Sequence, residues 1–289
     1  MFKKPETNAE APIEIARYAV FGQPIAHSRS PLIHRMFAQA EHVVLRYDAI
    51  ESSPADFPRS LAQFAADGGR GANITLPLKS VAHAACRTHG AHAQRSGVAN
   101  TVTRREDGSW HGDNTDGIGL VADIAERLRL DLRGRRTLVL GAGGAAQAVL
   151  SALLESGVES IVIANRTPER ADALADRIGE PARVHTAYWD ALRDAGGFDL
   201  VLNATSAGHA GAALDLPFSL LAPRALAYDM NYGAAAIGFT AWARAGAAGH
   251  VVDGLGMLVE QAAESFRIWH GHRPDTEPVY QHLRRELAP

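Results

Sequence analysis

Short apolar runs alternate with stretches of helical period almost from the start of the chain, the pattern of an α/β protein with parallel sheets. Residues 18–21 form an apolar strand that stops at Gly22. From Pro31 onward Leu32, Met36 and Phe37 share one helical face, and a proline in the first turn suits a helix start. The same reading predicts a strand over 43–50 and a helix over 54–66, closed by Gly68 and Gly69. A short strand over 71–75 and helical stretches to about residue 95 follow. The runs 98–104 and 110–111 flank Asp107-Gly108, a hairpin signal. Residues 115–128 read as a helix with Thr115 as N-cap.

Past residue 128 the pattern tightens. A buried strand over 136–140 runs into Gly141-Ala142-Gly143-Gly144-Ala145-Ala146, which opens a helix. Strands over 161–163, 200–202, 225–230 and 250–252 follow, with a helix over 168–178 among them, and helices over 257–269 and 278–287 end the series. The change of pattern puts a domain boundary near the 115–128 helix. No Ser- or Pro-rich linker marks it, so two lobes joined by helices are expected.

Composition narrows the classes of function. A length of 289 residues with 46% hydrophobic positions suffices for two separate cores. The net charge of -3 leaves no basic field to grip phosphates, which excludes nucleic acid as the expected partner. Cys86, the single cysteine, cannot form an internal disulfide and reads as a small buried hydrophobe in a reducing compartment. His83, His89 and His92 match no zinc spacing and read as surface histidines, so no metal is expected. The first sixteen residues are mixed and polar, unlike a signal or transit peptide, and read as a disordered extension. No apolar run reaches membrane-spanning length, and a cytoplasmic location is expected.

The glycine-rich turn carries the first chemistry. Gly141 permits a tight turn, Gly143 lets backbone approach a pyrophosphate, and Ala146 lets the helix pack close to the strand. The helix N-terminus, with Gly144 and Ala145, then offers free N–H groups to phosphate. An NAD enzyme places an acid at the end of the next strand for the ribose 2′-hydroxyl. Here that strand ends Asn165-Arg166-Thr167, with Arg170 one turn on. Guanidinium in place of carboxylate favours a 2′-phosphate, and so NADP. Asn165 and Thr167 also suit helix capping.

Three stretches of the first half hold more polar residues at strand ends than folding requires. Ser28-Arg29-Ser30-Pro31 precedes a helix, where two hydroxyls can receive a carboxylate. A serine N-cap accounts for Ser30 but not for Ser28. Asn73-Ile74-Thr75-Leu76-Pro77-Leu78-Lys79 leaves the sheet edge at a lysine. Asn100-Thr101 is followed by Gly112-Asp113-Asn114-Thr115-Asp116-Gly117. Lys79 and Asp116 could pair as acid and base beside a hydroxyl. From spacing alone they also read as a surface lysine and a capping aspartate.

These motifs, taken in order with Asn203-Ala204-Thr205-Ser206, Asp229-Met230-x-Tyr232 and Asp253-Gly254-Leu255-Gly256-Met257-Leu258, resemble the shikimate dehydrogenases from about Tyr18 to the end of the chain. The resemblance implies an α/β fold with a substrate domain over 1–116, completed by helices of 255–289, and a Rossmann NADP-binding domain over 117–254. It implies that Ser28 and Ser30 hold the shikimate carboxylate. Thr75, Asn100, Asp116 and Gln261 would bond the ring hydroxyls, Lys79 would be the acid/base, and Tyr232 would close the substrate site. The turn Gly141, Gly143, Gly144 and Ala145 would bind pyrophosphate. Asn165, Arg166, Thr167 and Arg170 would hold the 2′-phosphate, and Thr205, Met230 and Gly254 would line the nicotinamide end. The implied reaction is reversible, NADP-dependent reduction of 3-dehydroshikimate to shikimate, in aromatic amino acid biosynthesis, by a monomer or homodimer.

One stretch departs from the family pattern. Ile237 and Gly238 replace the usual Thr-Pro pair, which puts the start of the following helix in question. The Ala-rich run 207–213 is also particular to this chain. Three alternatives remain: a relative acting mainly on quinate or with NAD, a non-catalytic sensor of the same ligands, and a folate-linked dehydrogenase of similar two-lobed layout. The two serines favour shikimate over quinate, Arg166 favours NADP, and intact Lys79 and Asp116 argue against a sensor.

Overall fold

The structure, a computed structural model, describes residues 15–212 and 214–287. The extension expected over the first sixteen residues falls outside the described residues up to position 14, and Ala16 already opens a strand. The first sheet holds β1 (Ala16–Gly22), β2 (Leu45–Glu51), β3 (Gly69–Ile74), β4 (Thr88–His89), β5 (Thr101–Arg104) and β6 (Trp110–Asp113). Their order is β2-β1-β3-β5-β6-β4. β1 runs parallel to β2 and β3, but β5 is antiparallel to β3 and β6. The sheet is therefore mixed: the strand–helix alternation suggested parallel pairing, while the expected 98–104/110–111 hairpin forms as the antiparallel β5–β6 pair. The Asp107-Gly108 hairpin turns β5 back into β6. Gly108 takes φ +78, and Asp107 Oδ1 accepts from the Ser109 N–H and hydroxyl at 2.9 and 2.6 Å.

Helices α1 (Ser30–Ala40), α2 (Phe57–Ala66), α3 (Lys79–Ala85) and α4 (Ala91–Ser96) connect these strands. Phe21 meets Phe57 and Phe64 edge-on at 5.6 Å, and these rings anchor one core beneath α2.

The second sheet holds β7 (Arg136–Leu140), β8 (Ser160–Asn165), β9 (Val184–Tyr188), β10 (Phe198–Asn203), β11 (Leu221–Asp229) and β12 (His250–Val252). Every pairing is parallel, in the order β12-β11-β10-β7-β8-β9. Strand order reverses between β7 and β10, which is where dinucleotides bind in doubly wound sheets. Helices α6 (Gly144–Glu155), α7 (Pro168–Ile178) and α8 (Ile237–Ala245) cover its faces. The sequence pattern does not predict β9, an edge strand whose residues are polar and mostly exposed. A 3-10 turn over Gly233–Ala236 leads into α8 at Ile237, so the helix starts there without the Thr-Pro pair. A second turn, Ala207–Ala210, packs so close that a Cβ on Gly208 would lie 1.8 Å from the Ala235 carbonyl.

Helix α5 (Asp116–Ala122) joins the two sheets and continues as a π turn over Asp123–Arg127. Glycines let it pass between its neighbours. A Cβ on Gly117 would lie 2.6 Å from Ala152 Cβ on α6. One on Gly119 would lie 2.6 Å from the Gln261 nitrogen on α9 (Leu255–His270). Helices α9 and α10 (Glu277–Glu286) return to α1, where Ile33, Phe37, Val259, Phe266, Val279 and Leu283 share a core.

The π turn is pinned by a buried charge. Asp123 is fully buried and accepts from Arg127 and from the Tyr228 hydroxyl of β11, the latter at 2.6 Å. The Arg127 guanidinium lies 4.1 Å from the centre of the Tyr280 ring. Gly256 leaves room for this carboxylate, since a Cβ there would fall 1.9 Å from Asp123 Oδ1. Removing the cation strands the carboxylate, so Arg127→Met is expected to cost about 3–5 kcal/mol in denaturant unfolding. A cost under about 1 kcal/mol, the exposed-pair range, would mean that water compensates Asp123.

Candidate active site

Lys79 opens α3 just past the end of β3, and Asp116 opens α5 just past β6. The two meet at 2.5 Å, Nζ to Oδ2, with Asp116 only 5% exposed. The other carboxylate oxygen accepts from Asn100 Nδ2 at 2.8 Å. Gln261 Oε1 lies 3.2 Å from the same amide, while Gln261 Nε2 donates to the Leu258 carbonyl at 2.8 Å. Thr75 stands just past β3, with its methyl 2.4 Å from where a Gly22 Cβ would sit. Lys79, Asp116, Asn100 and Gln261 thus form one bonded group.

Thr115 does not cap α5 as expected. Its N–H bonds Asn100 Oδ1 at 2.8 Å and its hydroxyl lies 2.9 Å from Asn100 Nδ2. Asn114 Oδ1 accepts the Asp116 N–H instead, at 3.1 Å. Ser30 likewise does not cap α1; Ser28 Oγ accepts the Ser30 N–H at 3.3 Å. Tyr232, from the loop after β11, packs on the α1–α9–α10 core. Burial raises its phenol pKa, with the Arg29 charge pulling it back.

The dinucleotide end is built on the second sheet. Gly141 takes φ +104, and a Cβ there would meet the Ala204 carbonyl at 3.0 Å. Gly143 and Gly144 face open space, with nothing within 4 Å of an added Cβ. Ala145 lies in the first turn of α6, half-buried against the core that holds Ala146. Arg166, Thr167 and Arg170 are exposed at the start of α7, and Asn165 Nδ2 donates to the Thr167 carbonyl at 2.9 Å. Neither Arg166 nor Arg170 is paired with a carboxylate among the described residues. Open space before two glycines, the free N–H groups of a twelve-residue helix and two available guanidinium groups fit a dinucleotide with an extra phosphate.

Thr205, Met230 and Gly254 are tied together by residues to which sequence reasoning gave no role. Asn203 Oδ1 accepts from the Thr205 N–H and hydroxyl at 3.1 and 2.8 Å. Asn231 Nδ2 donates to the Thr205 carbonyl at 3.0 Å, and the Asn231 carbonyl accepts the Gly254 N–H at 2.8 Å. A Cβ on Gly254 would sit 2.2 Å from the Met230 carbonyl. Asp229, fully buried, accepts from Asn231 twice. Because α9 begins one residue after Gly254, Gln261 stands roughly 10 Å along the same helix.

Cys86 is buried, and burial pushes its thiol up to about 12, with Asp113 adding to the rise. His83 and His89 are half-buried and stacked at 3.9 Å, not free surface histidines; the His89 ring reaches the His83 carbonyl at 2.8 Å.

A parallel sheet with a glycine-rich strand–helix turn, in one chain with a buried lysine–carboxylate pair on the first, mixed sheet, fits a two-domain dehydrogenase of the nicotinamide class. Family models match along the chain: the shikimate dehydrogenase substrate binding domain at residues 20–102, the shikimate / quinate 5-dehydrogenase at 123–212, and the shikimate 5'-dehydrogenase C-terminal domain at 254–284. The NADP(+) shikimate dehydrogenase of Xanthomonas campestris is 54% identical over 277 residues, covering 95% of this chain and 97% of the relative. That of Xylella fastidiosa is 55% identical over 276 residues, covering 95% and 98%. Among solved structures, an Ael1 enzyme from Pseudomonas putida superposes with TM-score 0.86 at 43% identity, covering 93% of this chain and 98% of that one. The Thermus thermophilus shikimate 5-dehydrogenase in complex with NADP(H) and shikimate gives 0.80 at 34% identity, covering 94% and 99%. The chain belongs to the shikimate dehydrogenase family.

Burial raises the Asp229 carboxyl to about 6, with Asp253 adding and hydrogen bonds from Asn231 and Asn203 opposing. A carboxyl whose pKa rises on folding takes up a proton as the chain folds. Its contribution is therefore fully present below the unfolded value near 4 and is lost as pH climbs to about 6. Wild-type Tm is expected to fall across that window more steeply than the Tm of Asp229→Asn. Parallel Tm curves would mean that Asp229 does not titrate there.

Proposed function

We propose that this protein catalyses the reversible, NADP-dependent reduction of 3-dehydroshikimate to shikimate. The observation that carries the reading is the Lys79–Asp116 pair, locked by Asn100, which also bonds Gln261. The substrate carboxylate is held by the Ser28 and Ser30 hydroxyls at the start of α1, with Tyr232 covering that end. Thr75, Asn100, Asp116 and Gln261 bond the ring hydroxyls. Gly141, Gly143, Gly144 and Ala145 hold the pyrophosphate, and Asn165, Arg166, Thr167 and Arg170 the 2′-phosphate. Thr205, Met230 and Gly254 line the nicotinamide end. The substrate domain comprises residues 1–116 completed by 255–289, and the cofactor domain 117–254. The protein works in the cytoplasm as a monomer or homodimer, on small molecules alone.

Bound NADPH supplies the hydride. Lys79 donates the proton to the oxygen that becomes the shikimate hydroxyl, and its ammonium stabilises negative charge building there. Asp116 orients that ammonium and accepts from the substrate. In oxidation the same lysine takes the proton back.

Lys79→Ala is expected to lower kcat by about 10²- to 10⁴-fold with substrate KM nearly unchanged. A large KM rise with kcat intact would overturn the acid/base role. Nicotinamide reduction, with shikimate or quinate crossed against NADP or NAD, tests the substrate and cofactor together. Shikimate with NADP is expected to exceed every other pair by at least about tenfold in kcat/KM. Arg166→Ala is expected to narrow the preference for NADP over NAD, through a higher KM for NADP. Equal turnover of quinate would move the reading to the broader shikimate/quinate class, and binding without turnover would move it to a sensor.

A further inference from the structure

Beneath the Lys79–Asp116 pair lies a run of buried polar side chains that the proposed chemistry does not use. Tyr47 on β2 donates to Asn73 Oδ1 at 2.7 Å. Asn73 Nδ2 donates to the Ser265 hydroxyl on α9 at 2.9 Å. Ser265 lies 2.8 Å from the Thr101 hydroxyl, nearer than the Gln261 carbonyl at 3.1 Å or the Thr115 hydroxyl at 3.3 Å. Thr101 donates to Asn100 Oδ1 at 3.0 Å, and Asn100 Nδ2 ends on Asp116 Oδ1 at 2.8 Å. All of these residues are 5% exposed or less.

A carboxylate paired with an ammonium only accepts, and this fixes the Asn100 end of the run. Asn100 must present its amide nitrogen to Asp116, so its oxygen faces back and accepts from Thr101. With the Thr101 proton on Asn100, the Thr101–Ser265 bond runs from Ser265, and Ser265 in turn accepts from Asn73. Each bond polarises the next toward the carboxylate. The far end is held by packing: the His34 ring stacks on Tyr47 at 4.4 Å, and burial lowers its pKa to about 3, so it stays neutral. The polar groups of Asn73, Thr101 and Ser265, drawn from two of the three strands involved and from a distant helix, bring no apolar packing that alanine or valine would not bring. Together with the Thr115 N–H, which donates to Asn100 Oδ1 at 2.8 Å, they hold the Asn100 amide in one orientation.

We propose that Ser265 is a positioning residue for the reaction, acting with Tyr47, Asn73 and Thr101 to orient Asn100 and so fix Asp116 against Lys79. The proposal rests on the acid/base role given to Lys79. Ser265→Ala and Tyr47→Phe are each expected to lower kcat about tenfold, with the KM for NADP unchanged. Because both cut one chain, the double variant should lose little beyond the worse single, whereas independent structural defects would add to ~100-fold. Thr101→Val against Thr101→Ser carries the same comparison where Ser265→Ala does not fold: the serine variant keeps near wild-type kcat and the valine variant does not. Lowered Tm with wild-type kcat, or additive losses in the double variant, would overturn the proposal. If Lys79→Ala keeps its kcat, the acid/base reading fails first. If Lys79→Ala is inactive while Ser265→Ala and Thr101→Val turn over normally, only the positioning role fails.

Discussion

One short helix must touch both halves of this molecule at once, and much of the architecture follows from that. Helix α5 starts with Asp116 at the first sheet, leans on α6 of the second sheet at Gly117, and crosses α9 at Gly119. A side chain at either glycine would collide with backbone or Cβ atoms, so neither contact can form at ordinary helix spacing. Its continuation then buries Asp123, which only a cation and a phenol hydroxyl make tolerable. Asp116 is therefore placed by contacts along the next two turns of its own helix, and the Lys79 pair inherits that placement.

The second half was more legible than the first, and the reasons are physical. A doubly wound parallel sheet is buried on both faces, so β7, β8 and β10 read as compact apolar runs. The turn after β7 needs glycine at φ +104 and open space at Gly143, and these requirements show directly as residue types. The first sheet is mixed, and its antiparallel β5 and β6 are flanked by buried Asn100, Asn114 and Thr115, with Thr101 buried at the start of β5, polar positions that periodicity cannot assign to a face. β9 escaped because it is an exposed edge with polar side chains.

Site residues divide in the same way. Lys79 and Asp116 are visible as unusual polar residues at strand ends, but their 2.5 Å contact spans 37 positions and no local rule predicts it. The expected caps at Thr115 and Ser30 failed for one reason. Each residue's neighbour, Asn114 or Ser28, supplies the capping oxygen. At Thr115 this leaves the hydroxyl free for Asn100. Ser265 gave no signal at all, since a lone serine in a largely apolar helix resembles a spacer until Asn73 and Thr101 are seen on either side.

The return of α9 to the first half explains why so much polarity can be buried there. The helix begins beside the Met230–Gly254 contact of the second sheet and ends among the aromatic rings around His34 and Trp269. Between those ends Gln261 and Ser265, one turn apart, face the same cluster of Asn100, Thr101 and Thr115. A loop could present the same atoms, but each unfixed side chain would have to lose rotamer freedom when ligands bind. A sixteen-residue helix with its opposite face packed on Ile33 and Phe37 loses that freedom on folding instead. The chain leaves the first half, builds the dinucleotide sheet and comes back because the polar cluster beneath Asp116 needs a rigid wall, and only a helix anchored in both halves supplies it.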